Sequence, residues 1–241
     1  MKVKPTIVFE DEDLIIVNKP ANYLTIPARF KKDLPNVYNW LQRDRTEVFI
    51  VHRLDRETSG ILCFAKTENS HKVLSKQFQE REVEKRYLAL VDGVPNNEEG
   101  FIDKPIAENM AQRGKMIIAK RGKSSQTSYK VLEAFKKFSL VEAHIHTGRT
   151  HQIRVHLEFI GHPLAVDVLY GRREAFNLSE VKGRKYQQGK HVEERPLMSR
   201  STLHAFRLIL NHPVTNEKLT FEAPLPKDFA AVVKQLKRWG R

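Results

Sequence analysis

The chain has 241 residues, and 40% of them are hydrophobic, which is enough to bury a substantial core. Lysine and arginine outnumber aspartate and glutamate by 42 to 29, and the net charge of +13 favours nucleic acid over a membrane surface as the partner. The single cysteine, Cys63, excludes an intramolecular disulfide, and no segment has the apolar length of a membrane span or the pattern of a leader. We therefore expect a cytoplasmic protein without a membrane partner.

The N-terminal third combines strand patterns with turn residues and short helices. Runs of β-branched and aromatic residues at 6–9 and 14–17 flank the acidic turn 10–13, which predicts a hairpin. Two amphipathic helices follow, one over 36–42 with Asn36 as its N-cap and one from Ser70 to about residue 78.

Strand patterns dominate the rest of the chain, so the expected class is α/β in the broad sense, or α+β. Thr150 is the expected N-cap of a helix that ends before Gly161, and a last helix is expected from Asp228 to about Trp239. Residues 171–200 are poor in periodic apolar positions and are expected to be a long mobile loop, either an insertion or an RNA-contacting segment. With no clear linker, residues 1–241 are expected to form one domain. The predicted strands are 86–91, 116–119, 124–132, 139–144, 203–210 and 218–222.

Asp55 lies between Arg53 and Arg56 in a polar segment, 52–60, that precedes an apolar run. Neighbouring guanidinium groups favour an ionised carboxylate, which suits a nucleophilic or electrostatic role and not proton donation. Taken alone, the segment is more simply a turn capped by Asp55 and a Thr-Ser-Gly triplet.

A second cluster, from His146 to His156, places arginines, histidines and hydroxyls within eleven residues. Two cationic and polar clusters of this kind indicate a common anionic ligand. Arg154 falls in the first turn of the predicted helix and could hold Asp55 in a bidentate pair. Arg53, Arg56, Arg149 and His151 would then face phosphates.

The excess positive charge is concentrated between residues 113 and 130, where no acidic residue occurs. Such a run is typical of a phosphate-facing hairpin, although an ordinary solvated basic loop has the same composition. The candidate phosphate contacts are Arg113, Lys115, Lys120, Arg121 and Lys123.

Several other site classes are excluded or disfavoured. No Gly-rich phosphate-binding motif is present, so no nucleotide cofactor is expected. The histidines at 144, 146, 151 and 156 do not converge at metal-ligand spacing and lie among arginines, so no metal is expected. Ser59 has no nucleophile-elbow motif and no evident base in the sequence, which disfavours a serine hydrolase.

Tyr87 lies in a strand pattern and could stack on a nucleobase or exchange a proton through its hydroxyl. Taken alone, its local sequence fits a tyrosine at the edge of the core better than either of these roles.

In the order of its motifs, the chain resembles the RluA-type RNA pseudouridine synthases over nearly its whole length. Of the matching blocks, 52–66 contains Asp55, 85–89 contains Tyr87 and 146–171 contains Arg154. Two positions depart from the usual pattern, because Asn22 and Val166 stand where the family commonly has glycine. The matching blocks are 8–20, 52–66, 85–89, 146–171 and a closing segment with 203–205, 212–213 and 223–226.

The resemblance implies a pseudouridine synthase fold with a mixed, mainly antiparallel central sheet flanked by helices. It also implies a cofactor-free isomerisation of specific uridines in structured tRNA or rRNA, with Asp55 as catalytic carboxylate, Tyr87 stacked on the base and Arg154 paired with Asp55. Such an enzyme must flip its target base, and Arg53 is the residue expected to fill the gap. We expect a monomer without the small N-terminal RNA-binding domain of some relatives. The alternative is a non-catalytic RNA-binding or assembly factor that retains the fold.

Overall fold

A computed structural model describes residues 3–29, 33–187 and 193–240. The fold is α+β, with a mixed, mainly antiparallel sheet and flanking helices, as predicted. The chain divides into two compact units, one of Met1–Tyr87 with His204–Pro224 and one of Leu88–Leu203 with Leu225–Arg241. The expectation of one domain stays a prediction.

The strands in chain order are β1 (Thr6–Glu10), β2 (Leu14–Lys19), β3 (Phe49–Ile50), β4 (Ser59–Ala65), β5 (Glu84–Asp92), β6 (Glu99–Asp103), β7 (Ile106–Glu108), β8 (Met116–Ile118), β9 (Gln126–Ala134), β10 (Phe138–Ile145), β11 (Leu203–Asn211) and β12 (Lys218–Glu222). The helices are α1 (Val37–Leu41), α2 (Glu68–Glu80), α3 (Gln152–Phe159), α4 (Leu178–Lys182) and α5 (Lys227–Trp239), and a 3₁₀ turn, Gly183–Lys185, follows α4.

The first unit is built on the strand order β1-β2-β4-β11, with β3 paired to β4 and β12 to β11. The predicted hairpin of β1 and β2 is confirmed, with Thr6 opposite Asn18. β4 is buried at every residue and pairs antiparallel with β2 but parallel with β11. A strand covered on both faces is continuously apolar, which is why the run after Asp55 does not alternate.

Gly60 is fixed by the close approach of β11 to the start of β4. Its φ is +116°, and a Cβ atom built there would lie 2.0 Å from the carbonyl oxygen of Ala205. No other residue fits without separating the strands, because this backbone region is open only to glycine and the neighbour is backbone. Asn22, at φ 65°, takes the left-handed conformation that asparagine tolerates in place of glycine.

The sequence predicted helix α1 of the first unit correctly but gave the wrong start for helix α2. α1 is confirmed, because the Asn36 side chain accepts a 2.7 Å hydrogen bond from the Asn39 amide. The predicted start of α2 at Ser70 was wrong. Thr67 is the N-cap and accepts from the Ser70 amide at 3.1 Å, and the helix continues to Glu80 before Arg81 ends it in the left-handed conformation.

The second unit has the strand order β5-β10-β9-β6, to which β5 contributes its residues from Leu88 onwards, and a separate hairpin of β7 and β8. A hydrophobic core of this unit joins the sheet to α5, and Phe138, Phe176, Phe229 and Leu236 are among its buried members. Val166 is fully buried in the same core, so the second departure from the family pattern is accommodated by packing.

Two further predictions in the second unit need correction. α3 begins at Gln152, and its N-cap position is His151 at φ 56°, whereas the expected cap, Thr150, is exposed. The segment 171–200 contains α4 and the 3₁₀ turn, and Phe176 anchors it by a bridge to Met198. Its few apolar residues are too far apart to give a periodic signal. Residues 188–192 of the predicted loop lie outside the described residues.

Candidate active site

The backbone before Asp55 is held by a buried threonine. Asp55 is half-buried in the loop between β3 and β4, and its neighbour Leu54 is buried. The Thr25 hydroxyl accepts a hydrogen bond from the Leu54 amide at 3.1 Å and donates one to the Leu54 carbonyl at 3.1 Å. Both backbone polar groups of the preceding residue are therefore satisfied by one side chain, which restricts the loop.

The backbone after Asp55 is held by Lys19, whose side chain is fully buried. Its Nζ donates to the carbonyl oxygens of Arg56 at 3.0 Å, Tyr23 at 2.8 Å and Pro20 at 3.2 Å. Carbonyl dipoles of this kind stabilise a buried ammonium, and the contact with Arg56 fixes the loop from its second side. Sequence reasoning missed this role, and the only signal was the position of Lys19 in the first matching block.

Tyr87 lies on β5 with 7% of its surface exposed. Burial, and next the negative charge of Asp55, raise the pKa of the Tyr87 hydroxyl above its ordinary value. The phenol therefore keeps its proton at neutral pH. The structure thus brings two of the three predicted catalytic side chains within electrostatic range of each other.

His52 shares the polar segment with Asp55 but has a structural role. Its Nε2 accepts a hydrogen bond from the Cys63 amide at 3.0 Å, and its ring stacks on Phe78 at a centroid distance of 4.6 Å. Burial, followed by the charge of Lys85, lowers the pKa of His52 to about 3. The imidazole is therefore neutral at physiological pH and unsuited to proton transfer there.

Ser59 does have a histidine partner, which corrects the expectation from sequence. Its hydroxyl lies 2.9 Å from Nδ1 of His204, while Nε2 of that ring lies 3.1 Å from the Ala223 carbonyl oxygen. Ser59 and His204 are 1% and 0% exposed. A nucleophile must reach its substrate, so this buried pair stabilises the junction of β4 and β11 and does not form a hydrolase site.

Lys85 gives a stability prediction that depends on pH. Burial, and then the charge of Arg81, lower its pKa from 10.5 to about 8. Below pH 8 the buried Lys85 side chain is charged in the folded protein, and this lowers the free energy of unfolding. Between pH 8 and about 10.5 the side chain is neutral in the folded protein but still protonated in the unfolded chain. The free energy of unfolding therefore rises with pH over this range. Lys85→Met should therefore be more stable than the parent by about 2 kcal/mol at pH 7 and lose this advantage towards pH 10.

Guanidinium denaturation of both proteins at pH 7 and pH 9 measures this difference in the free energy of unfolding. Any contribution from ionisation of Cys63 and Tyr87 cancels in the difference, because both proteins contain these residues. Lys76→Met, at an exposed position of α2, is the control and should show no pH-dependent difference. A gap between Lys85→Met and the parent that stays constant with pH would contradict the assigned cause.

Arg154, on α3 of the second unit, forms a buried bidentate ion pair with Asp167. Nε and Nη2 donate to the two carboxylate oxygens at 2.6 and 2.7 Å, and the side chains are 8% and 0% exposed. Asp167 also accepts from the amides of Leu169 at 2.9 Å and Tyr170 at 3.1 Å. The guanidinium plane is therefore fixed. Sequence reasoning missed Asp167, although it follows directly on Val166, a position where the chain departs from the family pattern.

Tyr170 links Arg154 to the basic hairpin β7–β8. The Arg154 guanidinium lies 4.9 Å from the ring centroid of Tyr170, and the hydroxyl accepts from the Met116 amide at 2.7 Å. The ammonium of Lys115 lies 5.5 Å from the same centroid, and His151 Nδ1 lies 2.9 Å from the hydroxyl. One tyrosine thus connects Arg154, His151 and the hairpin.

Apart from His151, which lies beside the Tyr170 hydroxyl, the predicted phosphate contacts fall into three groups. Arg53 and Arg56 are exposed on either side of Asp55. Arg149 is half-buried, and its Nε donates to the Ser124 carbonyl at 3.1 Å. The third group lies in and after the hairpin, where Lys115 is half-buried and the exposed members are Arg113, Lys120, Arg121 and Lys123.

The histidines that raised the question of a metal have individual partners. His156, for example, lies 2.9 Å from the Thr127 hydroxyl and 3.0 Å from the Lys104 carbonyl oxygen. A different group, Asp11, Asp13 and His212, brings three potential ligand atoms close together. Asp11 accepts from two turn amides and contacts His212, and Asp13 accepts from the Ser70 hydroxyl, so these groups stabilise the turn between β1 and β2.

Within the described ranges, no helix has the length and apolar content needed to cross a membrane.

Comparisons with known proteins show the family of the chain. The family described as RNA pseudouridylate synthase matches residues 13–159. An uncharacterized RNA pseudouridine synthase of Bacillus subtilis is 36% identical over 97% of this chain and 73% of its own length. Ribosomal large subunit pseudouridine synthase D of Pseudomonas aeruginosa is 39% identical over 96% of this chain and 72% of its own length.

Solved structures extend the similarity to the fold. Human RNA Pseudouridylate Synthase Domain Containing 4 superposes with a TM-score of 0.73 and 27% identity over 96% of this chain and 92% of that one. Human RNA Pseudouridylate Synthase Domain Containing 1 superposes with a TM-score of 0.68 and 30% identity, over 92% of this chain and 84% of that one. By sequence and by fold, the chain belongs to the RluA-type RNA pseudouridylate synthases and is an isomerase that acts on RNA.

Proposed function

We propose that the protein converts specific uridines of structured ribosomal or transfer RNA to pseudouridine, with Asp55 as the catalytic carboxylate. The observation that carries this proposal is the two-sided support of the Asp55 loop by Thr25 and Lys19, with Tyr87 close by. Catalytic groups must be held in place before the substrate arrives, whereas a solvent-facing turn needs no such support.

The proposed reaction breaks the bond between N1 of uracil and C1′ of the ribose, and C5 of the rotated base then bonds to C1′. The base loses the proton on C5 and gains one on N1, so atoms and electrons balance without a cofactor. An ionised Asp55 can attack C1′ as a nucleophile, or it can drive elimination of the base from the ribose. Either route needs a carboxylate that is ionised and fixed in position.

Tyr87 is proposed to stack on the flipped base. Its raised pKa favours a neutral phenol, which offers an apolar ring face and a hydrogen-bond donor but is a weak base. Removal of the C5 proton by Tyr87 would first require the hydroxyl to lose its own proton. The stacking role is therefore preferred to the proton-transfer role.

Arg154 is proposed to pair with Asp55 during catalysis. Arg154 holds Asp167 through Nε and Nη2, and the proposal adds the Asp55 carboxylate as a second anionic partner. Arg154 and Asp55 belong to different units, so this pairing remains a prediction.

RNA is proposed to bind along the exposed arginines beside Asp55 and along the basic hairpin. Base flipping costs a few kcal/mol, which phosphate contacts offset, and Arg53 is proposed to occupy the gap left in the stack. Its exposure at the edge of the Asp55 loop suits that role. The names of several relatives favour large-subunit ribosomal RNA as the substrate, and we place the activity in the cytoplasm.

The purified protein should form pseudouridine in transcribed large-subunit ribosomal RNA or in transcribed transfer RNA, neither of which contains the modification. Release of tritium from RNA labelled at C5 of uridine measures turnover, and chemical mapping of pseudouridine locates the site. Deletion of the gene should remove pseudouridine at the same position in cellular RNA. A protein that binds RNA but forms no pseudouridine in either substrate would be the non-catalytic factor that is the alternative.

A further inference from the structure

A cleft of about 500 Å³ lies in the second unit, beside the C-terminal helix, and we call it the basic cleft. It is bounded by α4 with its 3₁₀ turn, by the end of α5 and by the turn between β9 and β10. None of the phosphate-contact residues predicted from the sequence lines it. The charged and aromatic lining residues are Lys136, Lys137, Phe138, Glu180, Lys182, Arg184, Lys185, Lys237, Arg238 and Trp239.

The walls of the basic cleft are attached to the core. Val181 of α4 packs against the same hydrophobic cluster that contains Leu236 of α5. A capping box at Asn177 fixes the start of α4, because the Glu180 carboxylate accepts from the Asn177 amide at 3.1 Å. The cleft is therefore a built feature of the unit.

Most of the positive charge of the basic cleft is not neutralised by the protein. Glu180 pairs with Arg173 at 2.9 Å, outside the lining, and Lys237 pairs with Glu133 at 3.0 Å. Among the described residues, no ion pair engages the six other cations of the lining, which are Lys136, Lys137, Lys182, Arg184, Lys185 and Arg238.

Three of these cations converge on one aromatic ring. Relative to the ring centroid of Trp239, the Arg238 guanidinium lies at 4.9 Å and the ammonium groups of Lys182 and Lys185 lie at 5.1 and 5.9 Å. One ring can stabilise a nearby cation, but three like charges around it repel one another. An anion placed among them would remove this repulsion.

We propose that the basic cleft binds the phosphodiester backbone of RNA at a site additional to the catalytic loop and the basic hairpin. The proposal rests on RNA being the substrate under the proposed function. A concave cleft lined by long cationic side chains fits a narrow polyanion, whereas a flat surface of lipid headgroups would meet only its rim. Phosphate contacts outside the reacting centre add affinity without reading sequence.

The test compares two triple variants with the same change in charge. K182Q/R184Q/K185Q neutralises one wall of the cleft, and K72Q/K76Q/K234Q neutralises exposed lysines of α2 and α5 outside its lining. Both are made in the full chain carrying Asp55→Ala, so that no turnover occurs during the measurement. The probe is a short single-stranded oligouridylate, and the dissociation constant is measured over a range of salt concentrations.

The cleft variant should bind the probe about tenfold to a hundredfold more weakly at about 0.1 M salt, with the slope of log K against log salt reduced by about 0.7 for each phosphate that is no longer neutralised. The control variant should keep the slope of the parent. Equal weakening of both variants, or an unchanged slope in the cleft variant, would overturn the proposal. So would tighter binding of poly-L-glutamate than of RNA, because the cleft would then suit an acidic protein.

Trp239 provides a direct reporter, because Trp40 is the only other tryptophan. In Trp40→Phe protein, the oligouridylate should change the emission of Trp239, and the cleft substitutions should abolish that change while leaving the unfolding temperature unaltered. No change in emission with RNA bound would place the RNA elsewhere and overturn the proposal.

The binding result and the proposed function can fail separately. In protein that retains Asp55, the cleft substitutions should raise KM for a structured RNA and leave kcat unchanged. If this protein forms pseudouridine but the cleft variant binds RNA normally, only the inference fails. If it forms none in any RNA, the proposed function fails, and the salt slope and Trp239 emission still decide whether the cleft binds RNA.

Discussion

Asp55→Ala should abolish pseudouridine formation, lowering turnover by about 10⁴-fold or more, while RNA binding is kept. The alanine removes the only group proposed to act at C1′, and Thr25 and Lys19 contact the backbone of Leu54 and Arg56, so their contacts survive the substitution. Asp55→Asn should be equally inactive, because the amide has the shape of the carboxylate but not its charge. Tritium release under single-turnover conditions measures the loss, and filter binding measures retained affinity.

Asp44→Ala is the matched control, since it removes an exposed carboxylate from the same unit. It should retain the activity of the parent. Substantial turnover by both Asp55 variants would exclude Asp55 as the catalytic carboxylate, even with the family assignment unchanged. Loss of RNA binding together with turnover would instead assign Asp55 to the integrity of the loop.

The second large effect concerns the buried pair of Arg154 and Asp167. Asp167→Ala should lower the free energy of unfolding by about 3–5 kcal/mol, because it removes two charge-assisted hydrogen bonds to a buried guanidinium. The amides of Leu169 and Tyr170 are deprived of their acceptor as well. Urea denaturation at pH 7 measures the change. Turnover below the melting transition should also fall, because Arg154 no longer has the group that orients it.

Asp228→Ala is the comparison, because Asp228 forms a similar bidentate pair with Arg200 at 2.7 and 2.8 Å. Its carboxylate side chain is 36% exposed, so water can replace it, and the expected cost is about 1–2 kcal/mol with no effect on turnover. An equal decrease in the free energy of unfolding in both variants would show that burial of the carboxylate is not the cause of the difference. The double variant R154M/D167L should recover much of the stability but not the activity, which separates packing from function.

The local elements of this fold could be read from the sequence because their signals are local. The alternating runs on either side of residues 10–13 predicted β1 and β2, and the Asn36 cap predicted α1. The errors arose where neighbouring residues offered equivalent signals. Thr67 and Ser70 both carry hydroxyls suited to capping α2, and only the surrounding backbone selects Thr67. At α3, a left-handed His151 replaced the expected cap at Thr150.

The sequence by itself determined the family, the nature of the substrate as RNA and the choice of Asp55, Tyr87 and Arg154 as site candidates. The order of the matching blocks along the chain carried this choice, because each segment taken alone also fitted an ordinary structural role. The tertiary structure decided which groups support these side chains: Lys19 donates to the Arg56 carbonyl, Thr25 binds the backbone of Leu54, and Asp167 pairs with Arg154. It also decided that cations converge on Trp239. Such contacts join distant parts of the chain and depend on folded geometry, and no periodicity or short motif encodes that geometry.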